Sequence, residues 1–307
     1  MDVILVAGPT ASGKSALALT LAVREARAGR AATIVNADSM QVYGVLRTLT
    51  ARPSEADEAL APHALYGHVD PRHAYSVAQW LEDVRRVLAR CREEGRTPIV
   101  TGGTGLYYRA LLEGLSGVPP IDSEVRATVR EALSREGAPQ LHAALATIDP
   151  RGAAALRPSD GQRVARALEV MRSTGRPLRE WQGSGRGILD AERCERHLVM
   201  PERPVLHARI ERRARLMLEG GVKSEAALEV AALLALDLPP DAPARKALGV
   251  AALSGLLAGR IDVNEAERRL VVETRRYAKR QCTWFRNQLG SGWRVSESAE
   301  AAFISNE

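Results

Sequence analysis

Residues 3–22 read VILVAGPTASGKSALALTLA, and this stretch decides the fold. The segment VILVA is rich in β-branched residues and predicts a strand, whereas the alanine- and leucine-rich segment after Lys14 predicts a helix. Between them lies the pattern G-x-x-x-x-G-K-S. Its glycines let the backbone wrap around a phosphate, and the following helix N-terminus adds partial positive charge. The strand, loop and helix in this order predict a site for a di- or triphosphate.

Each part of this loop has an expected role. The backbone N–H groups point at the phosphate, Lys14 adds a full positive charge, and the Ser15 hydroxyl suits Mg²⁺. The alternative is a glycine turn that only closes a strand–helix unit. The candidate phosphate-binding residues are Gly8, Pro9, Thr10, Ala11, Ser12, Gly13, Lys14 and Ser15.

The composition is that of an ordinary globular protein. Of the 307 residues, 45% are hydrophobic and 26% are charged, and no apolar run approaches the roughly 18 residues that span a bilayer. The N-terminus enters a strand at once, which leaves no room for a signal peptide. The three cysteines lie far apart without C-x-x-C spacing, which suits a reducing compartment and argues against a zinc site. We expect a cytoplasmic monomer that does not contact membranes.

The net charge of +6 is unevenly distributed. Between residues 268 and 286 the only acid is Glu273, and aromatic side chains are interleaved with the cations. The cations are Arg268, Arg269, Arg275, Arg276, Lys279, Arg280 and Arg286. A solvated helix face is the alternative for any charge run. Because this run has one sign and carries aromatics, it favours a surface that binds a polyanion.

Alternating strands and helices organise residues 1–115. Strands are predicted over 3–7, 33–37 and 96–101, and helices over 14–28 and 77–94. This alternation predicts an α/β fold with a P-loop NTPase-like parallel sheet flanked by helices. Ligands then bind at the C-terminal ends of the strands. The segments that begin at Gly8, Asp38 and Gly102 each follow a strand, so we expect three loops to meet over one site.

The pattern changes after residue 117. Asp122 is expected to cap a helix through Arg135, and further helices are predicted near 140–147 and 160–173. A strand at 198–200 and more helix to Trp284 follow, with weak order in the last dozen residues. We therefore predict a catalytic core of 1–117 and 188–307, with an inserted helical subdomain of 118–187.

Two loops carry candidate chemistry. Asp38 is a metal ligand, a base toward an acceptor, or a helix N-cap, and Gln41 is able to read a base edge. The loop Gly102–Gly105 either brings N–H groups and the Thr104 hydroxyl near the phosphates or is a plain glycine turn. No apolar run ends in an acid pair, and no arginine-rich lid follows the core strands. Both absences argue against phosphoryl transfer and favour a phosphate that leaves.

Five motifs in order carry a family resemblance. They are GPTASGKS at 8–15, DSMQVY at 38–43, GGTGLY at 102–107, RALEV at 166–170 and RRYAKRQ at 275–281. Together, over about residues 3–290, the chain resembles the tRNA dimethylallyltransferase family. The resemblance implies transfer of a dimethylallyl group from dimethylallyl diphosphate, with Mg²⁺, to N6 of an adenosine in a tRNA anticodon stem-loop. The target is the adenosine 3′ of the anticodon (position 37) in tRNAs reading codons that start with U, and the product is N6-isopentenyladenosine.

The residues agree with that chemistry. An exocyclic adenine amine is a poor nucleophile, so a base that takes its proton helps, and Asp38 matches the family's catalytic aspartate. An allylic diphosphate ionises readily once its departing charge is neutralised. The resemblance assigns catalytic roles to Asp38, Lys14, Thr104 and Arg213, and Mg²⁺ binding to Ser15. It assigns tRNA contacts to Asp38, Ser39, Met40, Gln41, Thr104, Arg126, Gln162, Arg163, Val164, Ala165, Arg166, Lys246, Gly249, Arg276, Lys279 and Arg280.

The chain departs from the family pattern at three positions. Leu49 stands where a glycine is usual and Arg47 where an acid is usual, which puts the conformation of their loop in question. Val250 stands where tyrosine is common. Three other functions stay open, namely an isopentenyltransferase for free adenine nucleotides, a small-molecule P-loop kinase, and a nucleotide-dependent RNA-binding module. The inserted helices and the basic C-terminal helix favour tRNA, because a mononucleotide acceptor needs neither.

Overall fold

A computed structural model of the protein describes residues 3–181, 183 and 185–298. At its centre is a parallel sheet. Its strands are β1 (Val3–Ala7), β2 (Ala32–Asn36), β3 (His63–Ala64), β4 (Thr97–Gly102), β5 (Cys194–Val199) and β6 (Arg294–Ser296). Their order across the sheet is β3-β2-β4-β1-β5-β6, and every pairing is parallel. The α/β class with a parallel sheet is confirmed.

Helices precede, follow and connect these strands. Those of the described residues are α1 (Lys14–Arg27), α2 (Glu55–Leu60), α3 (Val77–Glu93), α4 (Gly105–Glu113), α5 (Ser123–Glu136), α6 (Ala138–Ile148), α7 (Pro150–Ala154), α8 (Gly161–Thr174), α9 (Leu178–Trp181), α10 (Arg203–Met217), α11 (Glu225–Leu234), α12 (Val250–Leu257) and α13 (Val263–Gln288). Among the described residues, no helix has both the length and the apolar character needed to cross a membrane.

The strand β1 is fully covered. It pairs with β4 on one side and β5 on the other, and Leu5, Val6 and Ala7 have no exposed surface. A strand covered on both faces reads as a continuous apolar run, which is why VILVA is easy to recognise. The side chain of Trp80 from α3 stacks on Tyr107 with ring centroids 4.0 Å apart and has no exposed surface, so this tryptophan packs in the core.

The described part of the chain divides into two compact units. One is formed by Glu113–Gly187, and the other by the described residues before and after it. The helical unit has its own core, which includes Val129, Leu145 and Leu168. Asp122 caps α5 by accepting hydrogen bonds from two backbone N–H groups, as its position suggested.

The helical unit begins at Glu113 rather than near Val118. Its two end segments run side by side, because a Cβ on Gly114 would lie 2.6 Å from backbone atoms of Arg186. A Cβ on Gly185 would likewise lie 2.2 Å from the carbonyl oxygen of Leu115. The segment from 114 is thus already paired with the return segment, a contact between residues far apart in sequence that composition does not reveal.

Several elements were not predicted. The short α2 and β3, the helix α4 and the edge strand β6 were all absent from the sequence-based prediction, and β5 starts at Cys194 rather than at 198. Polar side chains in the first half of β5 hide the strand pattern. The strand β6 pairs with β5 at the sheet edge, and residues 299–307, for which weak order was predicted, lie outside the described residues.

Those polar residues of β5 form a charge network with α1. His197 is 1% exposed and its Nε2 lies 2.7 Å from Oε1 of Glu195. Arg24 donates two hydrogen bonds, of 2.9 and 2.8 Å, to the same carboxylate. The hydrogen bond with His197, and then the contacts with Arg24, hold the pKa of Glu195 well below its ordinary value. The negative charge of Glu195 therefore ties α1 to the sheet.

We expect Glu195→Gln to lower the free energy of unfolding at pH 7 by about 1–2 kcal/mol, because His197 and Arg24 then lose a charged partner. A depressed folded-state pKa contributes stability above the unfolded value of about 4.3 and loses it at lower pH. The difference between wild type and variant should therefore narrow from pH 5 toward pH 3. Urea unfolding measures it, with the exposed Glu192→Gln as control, and a difference that does not depend on pH would contradict this role.

Candidate active site

The loop between β1 and α1 has the shape of an anion nest. Gly13 has φ +97° and caps α1, and Ala11 has φ +62°. A Cβ on Gly8 would lie 2.7 Å from the backbone oxygen of Val199, so only glycine fits there. The buried Ser12 side chain accepts a hydrogen bond from the N–H of Lys14 at 3.3 Å. The loop therefore wraps around the N-terminus of α1, where backbone N–H groups and the helix dipole favour an anion.

Lys14 lies inside this loop. Its Nζ donates a hydrogen bond to the carbonyl oxygen of Pro9 at 3.3 Å. Burial lowers the pKa of Lys14 to about 8, the charge of Asp38 opposes the shift, and the charge of Arg213 adds to it. A bound anion stabilises the charged form of a lysine that is poorly solvated in this way.

A second cation reaches the loop from α10. The guanidinium of Arg213 donates a 2.8 Å hydrogen bond to the hydroxyl of Thr10, and Arg209 donates one of 2.7 Å to the carbonyl oxygen of Ser12. Burial also lowers the pKa of Arg213. Lys14, Arg213 and the Thr10 hydroxyl thus form one cluster, although Arg213 lies about two hundred residues from the loop in sequence.

Asp38 follows β2 and is held by a turn of its own. Its N–H donates to the Asn36 side chain at 2.8 Å, and its Oδ1 accepts from the N–H of Met40 at 3.0 Å. The Asn36 amide in turn donates to the carbonyl oxygens of Asp38 and Leu65. The next helix begins only at Glu55, so the interpretation of Asp38 as a helix N-cap is wrong. Its second oxygen, Oδ2, lies toward the third loop.

That third loop, Gly102–Gly105, packs closely on the segment after β2 and on Gln281 of α13. A Cβ on Gly102 would lie 2.1 Å from the backbone of Ala37, and one on Gly103 would lie 2.3 Å from Nε2 of Gln281 and 3.3 Å from Oδ2 of Asp38. The glycines are therefore needed for packing. The N–H of Thr104 donates to Ala37, and its hydroxyl accepts from the N–H of Ser39 at 3.0 Å. The three loops meet, as expected, but the Thr104 N–H is not free for a phosphate.

A cavity of about 270 Å³ opens where Thr10 and the segment from Asp38 face α10 and α13, and no residue of the loop Gly102–Gly105 lines it. Its polar wall includes Thr10, Asp38, Arg213, Tyr277 and Arg280. Its apolar wall is formed by Leu49, Ile210, Ala214, Met217, Leu248 and Leu270. Phosphate-binding groups, a carboxylate and an apolar surface therefore share one enclosed space, which suits a ligand that has both a diphosphate and a hydrocarbon part.

Comparison with known proteins decides the family. The model of the IPP transferase family matches residues 41–288. The chain belongs to this family. It is 52% identical to a tRNA dimethylallyltransferase of Agrobacterium fabrum, covering 95% of each chain, and 50% identical to one of Sinorhizobium medicae, covering 98% of this chain and 96% of the relative.

Solved structures agree with the family. The tRNA isopentenylpyrophosphate transferase of Bacillus halodurans is 31% identical and has a TM-score of 0.65, covering 96% of this chain and 89% of that one. A eukaryotic dimethylallyltransferase, described as acting on tRNA, has a TM-score of 0.75 at 24% identity, covering 92% and 69%, and supports the fold alone.

The structure accommodates the unusual Leu49 of this IPP transferase. Glu229 on α11 accepts hydrogen bonds from the N–H groups of Thr48 and Leu49, at 2.6 and 2.9 Å. The Leu49 side chain is buried and lines the cavity. Gln41 holds the same loop by donating to the carbonyl oxygens of Thr50 and Ala51. Because both amide hydrogens of Gln41 are used, only its oxygen is left for the predicted contact with a base.

The residues predicted to contact tRNA fall in several places. Met40, Lys246 and Arg280 line the cavity, and Arg280 lies over the Tyr277 ring at 5.5 Å. Arg276 and Lys279 line a separate groove on another face of α13. Gly249 is buried, has φ +90° and donates its N–H to Glu273, while Val250 is buried in the core.

The helical unit presents part of its predicted tRNA-contacting segment. Arg126, Gln162 and Arg163 are exposed, and Arg166 is half-buried. Val164 and Ala165 have no exposed surface and face the core, because α8 packs on α5 and α6. The prediction that these two residues contact tRNA through their side chains is therefore wrong.

A cationic cluster of this unit surrounds one acid. Glu169 is 1% exposed and accepts a hydrogen bond from Arg130 at 2.8 Å. Burial, and then the charges of Arg126 and Arg130, lower the pKa of Arg166. These three arginines repel one another and would gain from a polyanion.

Sequence reasoning missed several residues of the site. Gln281, Tyr277 and Arg209 contact or line it, and Glu229 holds one of its loops. Gln281 and Tyr277 lie inside the motif at 275–281, which is the signal that was available. Neither a glutamine nor a tyrosine indicates a site by its residue type alone. The role of Gln281 depends on its hydrogen bonds to Thr10 and Gly103, and that of Tyr277 on its place in the cavity wall.

The lowered pKa of Lys14 yields a prediction for the binding of an anion. Lysine is charged below its pKa, so the affinity for inorganic pyrophosphate should fall by up to about tenfold per pH unit above about pH 8. Lys14→Arg keeps its charge throughout, so its affinity should fall less. Calorimetry from pH 7 to pH 9.5 measures the pyrophosphate affinity of both proteins. Because the titration of pyrophosphate itself affects both affinities equally, the ratio of the two affinities reports the titration of Lys14. If Lys14→Arg does not bind pyrophosphate, the number of protons that wild type takes up on binding, measured by calorimetry in two buffers, tests the assignment instead. If the affinities of wild type and Lys14→Arg fall equally with pH, or if wild type binds pyrophosphate without proton uptake at pH 8.5, Lys14 is not the titrating group.

Proposed function

We propose that this IPP transferase moves the dimethylallyl group of dimethylallyl diphosphate to N6 of the adenosine at position 37 of tRNAs reading codons that start with U. The product would be N6-isopentenyladenosine. One observation carries the proposal. The phosphate-binding cluster of Thr10 and Arg213 and the carboxylate of Asp38 line one cavity whose other wall is apolar.

The cluster fits the departure of a diphosphate. The bond between the donor's allylic carbon and its diphosphate oxygen breaks, and negative charge accumulates on the leaving group. Lys14, Arg213 and the Thr10 hydroxyl are already in place to stabilise that charge. Because Lys14 and Arg213 are poorly solvated, their interaction with the leaving group is stronger than it would be in water.

Asp38 fits the role of base. As the new bond forms between N6 and the allylic carbon, the N6 proton passes to the carboxylate. One carboxylate oxygen is held by the N–H of Met40, which fixes the direction of the other. Burial first, and then the negative charge of Asp38, raise the pKa of Tyr107 and of Tyr277. Both tyrosines therefore stay neutral beside the carboxylate.

The residues present fit Mg²⁺ bound together with the donor. Ser15 places an exposed hydroxyl oxygen in the first turn of α1, next to the diphosphate-binding loop. In the described part of the chain no three His, Cys, Asp or Glu side chains are grouped as a metal site. Mg²⁺ needs no such cage, since it usually takes one or two protein oxygens, substrate phosphates and water. Once bound, Mg²⁺ would neutralise charge on the diphosphate.

Two cationic surfaces support tRNA as the acceptor. One is the cluster of Arg126, Arg130 and Arg166 in the helical unit, and the other is the groove that contains Arg276 and Lys279. The target base must leave its stack to reach an enclosed cavity, which costs least in a loop such as that of the anticodon. We further propose a monomer that acts in the cytoplasm, where tRNA is found.

The test is an incubation with Mg²⁺ and labelled dimethylallyl diphosphate, offering unmodified tRNA, AMP or no acceptor. We expect label on tRNA alone, and Asp38→Asn should lower turnover by about two to four orders of magnitude while pyrophosphate affinity stays within a few-fold. The exposed Asp241→Asn is the control. Label on AMP would favour a free-nucleotide isopentenyltransferase, and unchanged turnover of Asp38→Asn would exclude this aspartate as the base.

The groove on α13 yields a salt-dependence prediction. The double variant Arg276→Gln/Lys279→Gln should weaken tRNA binding, and the slope of log affinity against log salt should become shallower by about one to two, because fewer counterions are released. Filter binding from 50 to 300 mM KCl measures the slope. A control variant, Arg90→Gln/Arg92→Gln, removes two exposed arginines from α3 and should leave it unchanged. Equal slopes for the wild type and the α13 variant would mean that the cations of this groove face solvent and do not contact tRNA phosphates.

A further inference from the structure

Gln281 of α13 joins two loops of the site. It is 5% exposed, and its Oε1 accepts the N–H of Thr10 while its Nε2 donates to the carbonyl oxygen of Gly103, both at 2.8 Å. These contacts connect residues separated by 271 and 178 positions in the chain. One side-chain amide therefore spans from the phosphate-binding loop to the loop after β4.

Each end of this bridge leads to one of the reacting groups. Thr10 is the residue whose hydroxyl pairs with Arg213, so the first hydrogen bond fixes the diphosphate side. Gly103 faces Oδ2 of Asp38 across the space that a Cβ would fill, and the next residue, Thr104, holds the N–H of Ser39. The second hydrogen bond thus fixes the acceptor side.

An amide is suited to this position because it offers an acceptor and a donor at once. A carboxylate would repel the Gly103 carbonyl oxygen, and an apolar side chain would leave a buried N–H and a buried carbonyl without partners. The bridge also excludes a side chain at residue 103, because a Cβ there would lie 2.3 Å from Nε2. Gln281 and Gly103 therefore form a matched pair.

We propose that Gln281 is a positioning residue that fixes the distance between the leaving diphosphate and the carboxylate of Asp38. It touches neither substrate in this role and acts through Thr10 and Gly103. The proposal rests on the proposed function for its reaction and on these two hydrogen bonds for its geometry.

The first test is Gln281→Met, which keeps the length of the side chain and removes both hydrogen bonds. We expect pyrophosphate affinity to fall about five- to tenfold, as for the loss of one hydrogen-bonded contact, and kcat for tRNA prenylation to fall about 100-fold, as for a misplaced reacting pair. The affinity for tRNA should stay within twofold. Gln288→Met, at an exposed position of the same helix, is the matched control and should match wild type throughout.

The second test is Gln281→Glu, whose protonated form reproduces the amide with an O–H that donates to Gly103 and an oxygen that accepts from Thr10. Its surroundings include Asp38 beyond Gly103, Arg213 and Lys14 at the phosphate-binding loop, and Lys279 and Arg280 on the same helix. We expect the ratio of variant to wild-type kcat to rise at least tenfold from pH 9 to pH 6 as the carboxyl protonates. Because a buried carboxylate also lowers the folded fraction at high pH, kcat is expressed per folded protein, and urea unfolding at both pH values measures that fraction.

The outcomes separate this proposal from the proposed function. A kcat and pyrophosphate affinity of Gln281→Met within twofold of wild type would overturn it, as would a loss confined to tRNA affinity. A ratio for Gln281→Glu that does not change with pH would also overturn it, and this ratio decides if Gln281→Met does not fold. If wild type transfers no dimethylallyl group, the proposed function fails, and the pyrophosphate affinities of the two variants alone decide the role of Gln281.

Discussion

The parallel register of β2, β4 and β1 is the constraint on which the site depends. β1 is hydrogen-bonded on both sides, and Val6 and Ala7 lie opposite Thr101 and Gly102 of β4, while Asn36 of β2 also lies opposite Thr101. All three strands therefore end at one level of the sheet. The loops that follow therefore begin side by side, and hydrogen bonds between them, such as the one from the N–H of Ser39 to the Thr104 hydroxyl, hold them there.

Electrostatics then divides the site into two parts. Cations of α1 and α10 are concentrated at the loop after β1, while Asp38 supplies negative charge on the loop after β2, on the far side of β4. Both cations are poorly solvated, and Asp38 is the acid that opposes the fall in their pKa values. A site of this kind favours an anion beside Lys14 and Arg213. The apolar wall from α10 and Leu49 lines the same cavity as Thr10, Arg213 and Asp38.

Much of this arrangement was predictable from local sequence. The loop at 8–15, the helices α1, α3 and α5 and the convergence at Asp38 and Gly102 follow from periodicity, capping residues and glycine spacing, which act over a few residues. The first half of β5 was missed because its polar side chains hide the strand pattern, and the edge strand β6 was missed because its pairing partner β5 lies far away in sequence. Val164 and Ala165 were assigned to a tRNA surface because a motif was carried over as a block, whereas helix geometry turns neighbouring residues to opposite faces.

The sequence by itself determined that the chain holds a phosphate-binding loop on a parallel sheet, since those signals are local and chemically specific. Only the tertiary structure decided which distant groups complete the site. Arg213 was assigned only through the family resemblance, Gln281 was only part of a motif, and Leu49 was only a departure from one, and none of these signals shows which groups each residue contacts. Their roles arise from packing between helices and loops, because a hydrogen bond between residues hundreds of positions apart exists only once the chain has folded.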